Sequence, residues 1–130
     1  MTVGGRGVSL VQPIEEIKVN LDNGGSVLTP GSGTSFYTAT YRGRIKRWAL
    51  TGYPSGNIEL DIIKRNGEIP VFTDTICGGN FPYLSGQFYN TDDQLNNWEK
   101  NIEPGDVFGL IIRSASTLTS SVLTLTINAS

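Results

Sequence analysis

The sequence contains no histidine. That removes the commonest general base and the commonest neutral metal ligand. Every Ser-His-Asp or Cys-His nucleophile arrangement goes with it. What remains for chemistry is twelve carboxylates, ten Lys and Arg residues and one cysteine, Cys77. A zinc site would need Cys77 with carboxylates alone, an implausible ligand set. Glycoside hydrolysis needs two acids flanking one bond. The close acidic sets are Asp92 with Asp93 and Glu59 with Asp61, and neighbouring acids in a loop are usually solvated. Asp22-Asn23-Gly24-Gly25 offers oxygen ligands but not the spaced acids of a calcium loop, and is better read as a hairpin turn. Gly31-Ser32-Gly33 lacks the continuation of a phosphate-binding loop. The expectation is a chain with no catalytic residues, no metal and no cofactor, which is not an enzyme.

Two groups of side chains are suited to binding instead. The cluster Arg42, Arg44, Lys46 and Arg47 is the one concentration of charge. Alternation puts Arg44 and Lys46 on one strand face, a docking stripe for an acidic partner or a phosphate backbone. The simpler reading is an edge strand whose charges discourage sheet-to-sheet pairing. The second group is aromatic: Trp48 and Trp98, with Phe36, Tyr37, Tyr53, Phe81, Tyr83, Phe88 and Tyr89. Such rings stack on sugars, but a small β domain also needs them in its core. Trp48, in a strand with Ile45, is expected inside. Phe81, Tyr83, Phe88 and Tyr89 fall in the least regular stretch and form the candidate ligand loop. Cys77, beside Gly78-Gly79, is expected to be small, buried and unreactive.

The elements that must position these groups are strands. Gly, Ser, Thr and Asn are frequent and helix formers are scarce, which suits short strands joined by tight turns. At 130 residues the chain fits one domain. Residues 1–13 are Gly-rich and end in Pro13; they are expected to form an extended arm whose Val3, Arg6, Val8 and Leu10 contact a partner. Residues 14–130 are expected to form one β-sandwich.

Period-two alternation places Ile17, Val19 and Leu21 inward, then Ile58, Leu60 and Ile62, then Leu123, Leu125 and Ile127. Shorter strands are expected at Ser26–Thr29, Ser35–Tyr41 and Arg44–Thr51, and a mostly apolar one, buried on both faces, at Val107–Arg113. Gly52-Tyr53-Pro54-Ser55-Gly56-Asn57 has the composition of a turn. Gly78 to Asn97 is expected to be irregular, with a capping box at Thr91-Asp92-Asp93-Gln94 that allows one helical turn with Leu95 and Trp98 on one side. Seven or eight strands result, an antiparallel sandwich of the jelly-roll or immunoglobulin-like kind. The net charge of −2 argues against nucleic acid as partner. No stretch approaches a membrane span, and the N-terminus lacks a signal-peptide run, so cytoplasmic synthesis and no membrane partner are expected.

Beyond about residue 40 the order of turn and core residues resembles a module of tailed-bacteriophage virion proteins. The matching residues are Gly43-Arg44-Ile45 with Trp48, Ser55-Gly56-Asn57-Ile58-Glu59-Leu60-Asp61-Ile62 with Lys64, and Asp74-Thr75-Ile76. Leu84-Ser85, Trp98, Gly105-Asp106-Val107-Phe108, Ser114, Ser116-Thr117 and Leu123-Thr124-Leu125-Thr126-Ile127 complete them. The resemblance implies a jelly-roll-like piece of a tail fibre, a tail-associated protein or a capsid decoration (cement) protein, often trimeric. The short chain and its Gly-rich arm lean toward decoration. The implied partners are then the major capsid protein and further copies of this chain, in a homotrimer made in the host cytoplasm and placed on the head surface of the virion. The alternative partner is a host-surface glycan, bound by a tail-fibre or tail-tip module.

Overall fold

In the computed structural model, residues 14–32 and 36–129 are described. They form eight strands: β1 (Ile14–Asp22), β2 (Gly31–Ser32), β3 (Tyr37–Thr38), β4 (Gly43–Asn66), β5 (Tyr83–Asp92), β6 (Asn101–Ile102), β7 (Asp106–Ser116) and β8 (Ser120–Ala129). Among the described residues there is no helix. The main strand order is β1–β8–β4–β7–β2, with β3 also on β7 and with β5 and β6 on β4. Every ladder is antiparallel. This curled, antiparallel, all-β sheet is of the expected jelly-roll-like sandwich class.

β4 organises the molecule. Its first part, Gly43 to Tyr53, pairs with β8, and its second, Asn57 to Asn66, pairs with β7. The stretch expected to be a turn is therefore a corner within one 24-residue strand. Backbone groups released at the corner find partners in the link between β7 and β8. The Tyr53 carbonyl accepts from the Thr119 N–H at 2.8 Å, and the Ser55 carbonyl accepts from the Thr117 hydroxyl at 2.7 Å. Gly56 is required by close approach: a Cβ there would collide with the Thr117 hydroxyl oxygen and the Ser116 carbonyl.

The core follows the predicted alternation. Ile58, Leu60 and Ile62 of β4 meet Leu123, Leu125 and Ile127 of β8, with Trp48 also inside. Each such side chain contributes roughly 1.5–3 kcal/mol when fully buried. On β1, which among the described residues pairs with β8 alone, Ile17 is buried while Val19 and Leu21 are half-buried.

Four expected elements differ. Ser26 to Thr29 is not a strand, although Leu28 is buried and its N–H donates to the Leu118 carbonyl. Of the strand expected over Ser35 to Tyr41, the described part from Phe36 onward has only Tyr37–Thr38 as strand. Burial on both faces of β7 holds from Phe108 to Leu110 but not at Arg113, which is exposed. The helical turn near residue 92 does not form. Asp92 caps a turn by accepting from the N–H groups of Gln94 and Leu95, but Leu95 and Asn97 adopt φ of 50° and 69°, which stops helical continuation. Leu95 and Trp98 are nevertheless both buried.

Candidate functional site

Arg44, Lys46 and Arg47 lie in an interior strand. β4 is bonded to β8 on one side and to β5 and β6 on the other, so edge protection, the simpler reading of the cluster, is corrected. A β-bulge shapes the cluster. Ile45 opposes Ile127 while Arg47 opposes Thr126, leaving Lys46 as the extra residue. Arg44, Lys46 and Arg47 are all exposed as a result. Arg44 donates from Nη1 to Asn101 Oδ1 at 3.1 Å. Among the described residues none of the three forms an ion pair. Arg42 differs: its guanidinium pairs with Glu103 at 2.8 Å and holds that carboxyl below the usual range. The remaining residues expected to bind a partner, Val3, Arg6, Val8 and Leu10, lie outside the described residues.

The candidate ligand loop is also revised, since Tyr83 to Asp92 is strand β5, laid along β4 from Glu59 back to Trp48. Tyr, Phe and Thr make it a β former, while Ser85-Gly86 and the polar residues obscure its alternation. β5 bends where β4 does. Gly86 takes φ of 73°, and Asn90 donates to the Tyr83 carbonyl at 3.0 Å across the bend. Phe88 and Tyr89 stand out at the bend, 66% and 55% exposed. Phe81 is instead half-buried beneath the Arg113 guanidinium, 3.9 Å from the ring centre. Arg113 in turn pairs with Glu59 at 2.9 Å. Tyr83 packs on Trp48, its ring tilted 58° with centroids 6.5 Å apart.

Sequence reasoning missed what surrounds Tyr83. Asn80, Asn90, Gln94 and Asn96 line a cleft of about 270 Å³ with Trp48 at its base. The run of amides from residue 80 to residue 97 is the signal that could have found it. A second missed feature is apolar. Phe36, Pro70, Val71 and Phe72 surround a hollow of about 290 Å³ over Ile63 and Ile111, and Phe72 is 75% exposed.

The other chemistry-bearing groups have structural roles. Asp61 is buried and accepts from the Thr75 hydroxyl at 2.6 Å. Cys77 is buried, as expected, and burial pushes its thiol up to about 12, far from the range of a reactive thiolate.

No protein-family model matches this sequence, and no curated protein matches it. Solved structures similar to it include a carbohydrate-binding module, CBM36, in complex with calcium and xylotriose, at 12% identity over 92% of this chain and 93% of that one, TM-score 0.35. The pre-peptidase C-terminal domain of a Bacillus anthracis collagenase matches at 11% identity over 87% of each chain, TM-score 0.35. A serine protease of Aeromonas sobria matches at 7% identity over 94% of this chain, TM-score 0.36, and this chain spans only 28% of its length. At these scores the likenesses carry no argument about function, and the fold rests on the strand pairing itself.

Proposed function

We propose that this chain is a non-enzymatic structural protein of a bacteriophage virion: a capsid decoration protein that trimerises on the head shell and bridges major capsid subunits. The observation that carries the reading is the strip of Arg44, Lys46 and Arg47 on the outside of an interior strand. These charges protect no edge, and among the described residues they have no acidic partner within the chain. An acidic shell surface supplies one, and complementary charge fixes register as well as attraction. The hollow rimmed by Val71 and Phe72 leaves apolar surface that closed cyclic symmetry would cover. The resemblance to virion modules supports the setting. Stabilisation then follows by mass action, since a protein that binds only the assembled shell favours it.

The test is co-sedimentation with shells stripped of decoration. Arg44→Glu with Arg47→Glu is expected to abolish binding, while wild-type binding weakens as salt rises. Full binding by the reversed variant would refute the docking strip.

A second reading, a receptor- or carbohydrate-binding module of a tail fibre or tail tip, is favoured by the exposure of Phe88 and Tyr89 at the β5 bend. It expects glycan binding that Tyr89→Ala weakens without unfolding the protein.

A further inference from the structure

We infer that the cleft beside Tyr83 binds a single uncharged sugar residue. The inference deepens the glycan reading by giving it a site and a ligand class, and it holds whether the protein sits on head or tail.

The argument starts from which polar groups around the cleft are already committed. The amide nitrogen of Asn80 donates to the Asn96 carbonyl, and that of Asn90 to the Tyr83 carbonyl. The Gln94 amide nitrogen donates to Asp93. These bonds pin the side chains, so the cleft walls are set before a ligand arrives, which reduces the ordering cost of binding. Among the described residues, Asn80 Oδ1, Gln94 Oε1, the Asn96 amide and the Tyr83 hydroxyl have no hydrogen-bond partner. The free set therefore includes several acceptors, the Asn96 amide donor and one phenol. That inventory matches a ligand made of hydroxyl groups, each of which both donates and accepts.

Charge decides against the alternatives. Among the described residues Asp92 is the only ionisable group lining the cleft besides Tyr83, and both of its oxygens already accept backbone N–H groups. No cation among the described residues lines the space, so a phosphate, a carboxylate or an acidic sugar would lose its hydration without an opposite charge from them. Tyr83 supplies the remaining feature. Its ring is braced against Trp48 and is 47% exposed, an aromatic wall for the apolar face of a sugar ring. The volume of about 270 Å³ lies below the usual range for drug-sized ligands, and so fits one ring rather than an oligosaccharide.

The experiment is a titration of the full chain, labelled with nitrogen-15, with glucose, galactose, mannose and N-acetylglucosamine at millimolar concentrations, and with glucuronic acid for comparison. At least one neutral sugar is expected to shift the amide signals of Asn80, Tyr83 and Asn90 to Asn96 together with the Trp48 indole. Asn96→Ala, at an exposed position, is expected to weaken that binding about tenfold with an otherwise unchanged spectrum. Phe88→Ala is expected to leave it unchanged. Absence of shifts at the cleft with every neutral sugar, or tighter binding of glucuronic acid, would overturn the inference. Shifts confined to Phe88 and Tyr89 would also overturn it, while leaving the broader glycan reading intact.

Discussion

Asn90 and Tyr83 belong to the same strand, seven residues apart, yet the Asn90 side chain donates to the Tyr83 carbonyl at 3.0 Å. The strand is folded over on itself, and this bond spans the bend. Both residues line the amide-rich cleft. Asn90→Ala should therefore lower stability by about 1 kcal/mol, the net worth of a typical hydrogen bond. Chemical denaturation would show a shifted midpoint at unchanged slope. An unshifted midpoint would mean that the bend holds without the bond.

Gly56→Ala should be more costly, since the added methyl meets the Thr117 hydroxyl and the Ser116 carbonyl. Overpacking of this kind costs about 1–3 kcal/mol. Thermal denaturation should reveal a lower midpoint, and a variant as stable as wild type would show that the corner yields easily.

The alternation of Ile58, Leu60 and Ile62, and of Leu123, Leu125 and Ile127, was legible because strands half-buried in a sandwich keep period two. The continuity of β4 was not. Gly52, Pro54, Ser55 and Gly56 are turn residues by local preference, and they form a strand corner only because the Thr117 and Thr119 hydroxyls, more than 60 residues away, donate to the corner's carbonyls. The arginine cluster was legible as charge, but its place in an interior strand depends on pairing with β5, β6 and β8, which no local pattern encodes. The cleft likewise exists only because β5 bends back toward Asn80 and Gln94.

Asp106 should govern part of the acid response. Burial raises its carboxyl, but the Glu103 N–H at 2.8 Å, the Asn66 amide at 3.0 Å and the Lys64 ammonium at 3.4 Å outweigh burial and hold it below the usual carboxylate range. The stabilisation is then fully present above the unfolded value near pH 4, and is lost as pH falls through the lower folded value. Asp106→Asn should flatten that part of the acid unfolding curve and cost about 2–3 kcal/mol at neutral pH. An acid transition of unchanged steepness would assign it to other carboxylates.

Removal of residues 1–12 tests the expected arm. The truncated chain should stay folded, because residues from Ile14 onward supply the described sheet and core. It should also lose binding to stripped shells. Retained binding would place the whole interface on residues 14–130.

The central claim is most directly tested by cryo-electron microscopy of the purified virion with the density of this protein located. Decoration predicts many copies at symmetry-related positions on the head, with the strip of Arg44, Lys46 and Arg47 turned toward the shell. A few copies at the tail, with none on the head, would contradict it.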